Sequence, residues 1–292
     1  MLQCTTTMHT DLFALSPKEF PLLLQEIPDP PKKLYVQGTL PSPELKLLAV
    51  VGSRKYSPYG KAVVEKLIAG LSGYPVVIVS GLALGIDALA HEAALAAGLP
   101  TIAIPGSGLN REVLYPRANL RLAEKILASG GALLSEFEPD FEARPESFPQ
   151  RNRIMAGMSH ATLVIEATAM SGTLITARLT ADYNRELLVV PGSIFSPSSF
   201  GPHLFLSLGA TPITSSEDIL KALGIDAAKK PAVERSDLSE TERQVLHTLR
   251  VPQSKDELLT SLAIPASEAN ILLSTMEIKG LISEQLGKLY VK

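Results

Sequence analysis

Short runs of consecutive apolar residues alternate along this chain with longer stretches whose apolar positions recur every three to four residues. From residue 47 the runs read LLAVV, VVIV, TIAI, ALL, ATLVI and ELLVV. Helical patterns follow Pro58, start from about Asp87, recur around 119–128 and near 152–158, 173–184 and 203–208, and give way to a short TPITS. Strands that are apolar at every position are covered on both faces, so the pattern predicts an α/β domain with a mostly parallel, doubly wound sheet over residues 47–225. The proline-punctuated residues 1–46 read as a lead-in segment packed on that domain.

Periodicity fades in DAAKKPAVERSD, residues 226–237, a linker by its charge, Ala and Pro content. A second domain is expected over 238–292. Ser239 with Glu242, and Ser254 with Glu257, have capping-box spacing, Pro265 opens a third helical run, and GLISEQLGKLYV reads as a hairpin turning near Gly287. Three short helices and a hairpin match a winged helix-turn-helix. Such a module binds DNA or docks proteins, and its recognition segment ASEANILLSTMEIKG carries one Lys against two Glu.

Composition narrows the function classes. The 292 residues are 46% apolar with a mean hydropathy of +0.19, yet every apolar run is far shorter than the ~18 to 20 residues of a spanning helix. The amino terminus MLQCTTTMHTDLF has no export pattern, and the single Cys4 excludes an intrachain disulfide or a multi-cysteine metal site. A reducing cytoplasm is the expected location. With 27 Lys plus Arg against 30 Asp plus Glu the net charge is −3, so any polyanion site must be a local patch.

Five motifs follow the predicted strands, at the sheet edge where parallel-sheet proteins bind ligands. In VVGSRKYSPYG, Gly52 and Ser53 allow close backbone approach and Arg54 offers a forked cation. In SGLALGIDALAH, Ser80, Gly81 and Gly85 form a glycine-bearing turn at a helix mouth, without the spacing of a dinucleotide fingerprint or a P-loop. Asp87 and His91 fit a helix cap and a packed histidine there. In PGSGLNREVLYPRANLRL, Tyr115 offers a ring, Arg117 a charge, and Asn119 a cap or a ligand bond; a solvated helix start is the alternative. In SFPQRNRIMAGMS, Arg151 and Arg153 flank Asn152 near a helix start, where cations oppose the helix dipole unless an anion joins them, and Phe148 either stacks a base or packs in the core. In VIEATAMSGTLITARLT, Ser171 and Gly172 open another helix. Anion-ready helix starts outnumber candidate bases, which favours holding a phosphate chain over cleaving a bond. No catalytic residue, metal ligand or cofactor is assigned.

The ordered series VGSR, SGLALGIDALAH, YPRAN, Ser135 with Glu136, FPQRNRIMAGMS, EATAMSGTLITA and VVPG resembles the DNA processing protein A (DprA/Smf) family across residues 30–223. The resemblance implies an extended Rossmann core that dimerises, binds single-stranded DNA without hydrolysing nucleotide, and loads RecA recombinase onto that strand in natural transformation. Position by position it implies a pocket of Gly52, Ser53, Arg54, Ser80, Gly81 and Gly85, with Arg117, Arg151, Asn152 and Arg153 beside it. Gln150 stands where the family is often basic, and His203 where it usually has Asn. The helical amino-terminal domain of many relatives is missing or reduced here.

Two other classes compete. A phosphoribohydrolase resembling the cytokinin-activating enzymes would need a glutamate where Thr176 stands. A winged-helix repressor with an α/β ligand sensor would need a more basic recognition helix.

Overall fold

The computed structural model describes residues 12–228, 239–249, 253–262, 266–278, 281–285 and 287–291, which fall into two compact units divided after residue 231. The first unit is built on one sheet of β1 (Leu12–Leu15), β2 (Leu34–Gly38), β3 (Lys46–Val51), β4 (Val76–Ser80), β5 (Thr101–Ala103), β6 (Ala132–Ser135), β7 (Ala161–Val164), β8 (Glu186–Val189) and β9 (Thr211–Pro212). Their spatial order is β1-β2-β6-β5-β4-β3-β7-β8-β9. All neighbours from β6 to β9 run parallel, and β1 and β2 are antiparallel additions at one edge.

The apolar runs become strands because both faces are covered. Leu47, Val51, Val77, Val79, Val164 and Val189 face one core with α1 (Leu22–Gln25), α5 (Ser147–Met158), α6 (Thr173–Asp182) and α7 (Phe200–Ser207). Leu48, Val50, Val76, Ile78, Leu163 and Leu188 face the other with α2 (Pro58–Ala69), α3 (Ile86–Ala96) and α8 (Ser216–Ala222). A third cluster places α4 (Leu120–Ala128) over Ala103 and Leu133. The doubly wound α/β architecture is therefore as expected.

Two details differ from expectation. The lead-in packs on the domain by joining its sheet: β2 pairs antiparallel with β6, from Tyr35 opposite Ser135 to Gly38 opposite Ala132, and completes the sheet edge. Its proline punctuation concealed two short strands. The helix expected near 152 starts five residues earlier, at Ser147, because Pro149 fits the first turn, where a missing N–H costs nothing.

The sheet order fixes the place of a cleft. The chain runs outward from β3 through β4, β5 and β6, then returns to lay β7 against the other side of β3. Loops leaving β3 and β7 diverge there, and such a switch point opens a crevice outside the carboxyl ends of the strands.

In the second unit α9 (Glu240–Thr248), α10 (Lys255–Leu262) and α11 (Ala266–Ile278) precede an antiparallel hairpin of β10 (Ile282–Gln285) and β11 (Lys288–Val291). Both capping boxes form: Ser239 N–H donates to Glu242 at 2.8 Å and Ser254 N–H to Glu257 at 2.8 Å, each glutamate N–H returning a bond to the serine hydroxyl. Val245, Leu258, Leu273, Met276 and Leu289 are buried together, and Gly287 takes a φ of +73° in the turn. This is the element order of a winged helix; Pro265 and most of the 226–237 linker lie outside the described residues. No helix among the described residues is long and apolar enough to cross a membrane.

His91 is buried within α3, where its Nδ1–H donates to Thr101 Oγ1 at 2.7 Å, since the threonine proton is already committed to the Ile78 carbonyl. Burial drives the imidazole pKa from 6.5 down to about 3. Between these values the unfolded chain binds a proton that the folded one refuses, so stability falls as the pH drops through this window, by about 1.4 kcal/mol per unit. His91→Met should remove that term: between pH 7.5 and 5.5 the variant is expected to lose about 1.4 kcal/mol less stability than the parent. Parallel denaturation profiles for the two proteins would contradict the buried neutral imidazole.

Candidate nucleic-acid interface

At the switch point lies a cleft of about 520 Å3. Its walls come from four segments: residues 51–55 after β3, Ala83 and Asp87 after β4, one face of α5, and residues 168–176 leading from β7 into α6. The α5 face consists of Phe148, Arg151, Asn152 and Met155, a spacing of three, four and seven residues that puts them on one side of a helix.

Arg151 organises this place. Its guanidinium is buried and donates through one Nη to the carbonyls of both Gly81 and Ile104, at the carboxyl ends of β4 and β5, while Nε donates to Asn152 Oδ1 at 3.0 Å. Gly81 makes room for it, since a Cβ there would also meet Asp87 Oδ2 at 2.6 Å. Asp87, at the start of α3, accepts from Gly81 N–H at 3.1 Å. Burial raises the Asp87 carboxyl and the charge of Arg151 opposes that rise. Burial also draws the Arg151 guanidinium down to about 10, which leaves it cationic at neutral pH.

A smaller hollow adjoins the cleft, walled by Arg54, Gly81, Tyr115, Phe148 and Arg151. Here the Arg54 guanidinium lies 5.3 Å from the Phe148 ring centre, and the half-exposed Tyr115 ring stands 5.7 Å from Phe148 at a tilt of 51°. Phe148 reaches this position because Gly106, in the loop after β5, has no side chain: a Cβ there would stand 2.6 Å from the ring. Arginine over an aromatic face is a favourable pairing that holds both groups in place.

The expected site residues thus separate. Gly52, Ser53, Arg54, Phe148, Arg151, Asn152, Ser171 and Gly172 meet in the cleft, and Gly81 and Tyr115 join through the hollow. Ser80 is fully buried and donates to the Val50 carbonyl at 2.6 Å. Gly85 serves as backbone, with a φ of +86° where α3 begins. Asn119 is buried and donates to the Leu82 and Ala83 carbonyls at 2.8 and 3.2 Å, holding the 81–85 turn rather than a ligand. Arg117 stays on the surface with Nη1 on the Arg111 and Glu112 carbonyls.

The structure places the two RNR arginines on different faces. They lie beyond the first turn of α5, and two residues apart on a helix means about 200° around its axis. Arg151 therefore faces the cleft with Nη1 on two carbonyls and Nε on Asn152, while Arg153 points away and pairs with Glu136 and, at 3.5 Å, Asp29. The anionic partner that the helix start called for is protein in both cases. Thr173, at the helix start with Ser171 and Gly172, also lines the cleft, whereas Lys55, exposed beside Arg54 in the same motif, and Thr168, Met170 and Ile175 on the far wall were not expected there. Only the lysine carried a signal, its charge next to Arg54. Glu166, the other acid near the cleft, accepts from Ser57 N–H at 2.9 Å and from Ser198 at 3.0 Å and anchors the start of α2.

The fold and site define a doubly wound α/β protein whose switch-point cleft combines exposed cations with a tilted aromatic pair. The profile of the family described as DNA recombination-mediator protein A matches residues 11–224, and the chain belongs to that family. Protein Smf of Escherichia coli is 43% identical over 204 residues, covering 70% of this chain and 54% of that one. The DNA processing protein DprA of Streptococcus pneumoniae is 43% identical over 201 residues, covering 69% and 70%. The crystal structure of that streptococcal protein superposes with a TM-score of 0.68 at 40% identity over 73% of this chain and 75% of its own. DNA processing protein A from Helicobacter pylori, whose structure is described for its single-stranded DNA binding mode, gives 0.65 at 31% identity over 74% and 96%. The chain spans about half the length of the Escherichia coli relative, and the family match stops before the second unit.

Arg151→Ala would leave two strand-end carbonyls unpaired and Asp87 buried without its cation. The variant is expected to lose about 3 to 5 kcal/mol of stability, read by chemical denaturation. A near-parental midpoint would contradict the buried bridging role and return Arg151 to the free cations.

Proposed function

We propose that this protein binds single-stranded DNA with little sequence preference and mediates the loading of RecA recombinase onto it during transformation and recombination. The observation that carries this reading is the cleft's pairing of Arg54 and Lys55, exposed at the end of β3, with the Phe148 and Tyr115 rings at its side. Cations track a phosphate backbone and rings accept any base face, a combination suited to single strands. The Helicobacter pylori relative's description as a single-stranded DNA binder supports the ligand, and the family's description as a recombination mediator supports the RecA step. Arg117 supplies an outlying cation, whereas Arg151 and Arg153 act by shaping the site. Gln150, exposed on α5, adds no charge where relatives often have one.

The reading is non-enzymatic. Asp87 is bonded to Gly81 and faces Arg151, and Glu166 holds Ser57 and Ser198, so neither carboxylate is free to act as a general base. Thr176 lines the cleft where a phosphoribohydrolase would need its glutamate. Assembly as a homodimer in the cytoplasm belongs to the same proposal. Ile194, Phe195 and Phe200 expose an apolar patch at the start of α7, of the kind that subunit contacts cover. His203 on that helix bonds the Gly192 carbonyl at 3.0 Å, so this departure from the family pattern is absorbed locally. The α11 sequence contains no Lys or Arg, which favours protein docking over duplex reading for the second unit.

In fluorescence anisotropy with a labelled oligonucleotide, the parent should prefer single strand to duplex. Arg54→Ala should weaken binding to every sequence and lower the slope of log affinity against log salt by about 0.7. Unchanged affinity and slope would remove Arg54 from the interface.

A further inference from the structure

The segment carrying α1 is fastened to the side of α5 opposite the cleft. Phe20, Leu24 and Ile27 are buried in the same core cluster as Ile154 and Met158. At Gly157 the contact is with backbone itself, since a Cβ would come within 2.8 Å of Ile27. Two arginines close the seam. Arg153 on α5 pairs with Asp29 at 3.5 Å and with Glu136, which follows β6. Arg185, ahead of β8, donates to the Leu23 carbonyl at 2.8 Å and to Glu26 at 2.9 Å. Only about a seventh of the Arg153 side chain and a ninth of the Arg185 side chain remain exposed; Glu136 is buried to the same degree as Arg153, whereas Asp29 and Glu26 close the seam from its solvent side.

One helix thus has two jobs on two faces. Phe148, Arg151 and Asn152 look into the cleft, and Arg153 and Gly157 receive the α1 segment. Small displacements of a packed helix carry its whole face, because interiors are too dense to absorb them locally. Arg151 makes the cleft face unusually exacting, since its guanidinium must meet carbonyls from two strands at once.

We propose that Arg153 and Asp29 form a positioning clamp that seats residues 20–29 against α5 and thereby sets the cleft geometry, so that Arg153 governs DNA affinity without touching DNA. This rests on the cleft being the single-strand site. Two kinds of contribution then have opposite signatures. A cation that binds phosphate releases counterions, and its loss lowers the salt slope; an acid near a phosphate path repels, and its loss tightens binding. A positioning pair changes affinity at constant slope, and losing the acid weakens binding.

The test compares the full-length parent with Asp29→Asn, Arg153→Ala, Arg153→Lys and the Asp29→Asn/Arg153→Ala double variant. Binding of an oligothymidine strand is measured across a salt series, alongside hydrogen–deuterium exchange of residues 81–87 and 147–152. The clamp predicts affinity about three- to tenfold weaker for Asp29→Asn and Arg153→Ala with the parental salt slope, a double variant no weaker than Arg153→Ala alone, and partial recovery in Arg153→Lys. It also predicts faster exchange at both cleft segments. Asp29→Asn replaces one side chain with another of the same shape, so it reports even where Arg153→Ala fails to fold. A fall in slope for Arg153→Ala together with tighter binding by Asp29→Asn would overturn the clamp and make Arg153 a phosphate contact. Unchanged exchange in Asp29→Asn would also overturn it. If the parent itself binds no single strand, the functional reading fails, and the exchange data still decide whether the clamp sets the cleft.

Discussion

A single buried cation holds together the part of this molecule that matters for function. The Arg151 guanidinium bridges the carbonyl ends of two neighbouring parallel strands and faces the carboxylate that begins α3. A charge placed in a protein interior is tolerated only when its donors are satisfied and a counter-charge is close. Much of the local sequence can be read as meeting those terms. Gly81 vacates the space, Asp87 supplies the anion and an acceptor for the turn, and α5 delivers the arginine from the facing side. Asn119 ties down the same turn from outside.

That bridge sits where sheet topology already opens a crevice. The reversal of strand order at β3 and β7 separates their following loops, so the cleft is a product of connectivity and needs no special residues to exist. What the residues add is character. Arg54 and Lys55 give exposed charge on a chain whose net charge is negative, and Phe148 with Tyr115 gives an aromatic edge. Because Arg54 rests on Phe148, this exposed cation is ordered before any ligand arrives, which reduces the conformational entropy that binding must remove.

The central sheet was legible because its strands are buried on both faces and therefore apolar without interruption. β1 and β2 were not: they lie at an antiparallel edge where half-exposed positions such as Phe13 and Gln37 break the pattern, and prolines surround them. The site was legible as a set of glycines, cations and rings after strands, since those residues serve loops and ligands rather than packing. Which arginines stay free was not legible. Arg151 and Arg153 differ from Arg54 by their position around α5 and by tertiary partners 17 to 124 residues distant, none of which local spacing reveals. Ser80, Gly85 and Asn119 mislead for a related reason, because a turn that supports a site uses the same small polar residues as one that binds.

The most direct test of this account is ultraviolet crosslinking of a 5-iodouracil-substituted single strand to the full chain, with the adducts mapped by peptide mass spectrometry. Rings capture halogenated bases when the two stack, so the account predicts adducts at Tyr115 and Phe148, competed by unlabelled single strand. Adducts confined to residues 239–291, with both rings unmodified, would place the strand on the second unit and contradict the switch-point cleft as the nucleic-acid site.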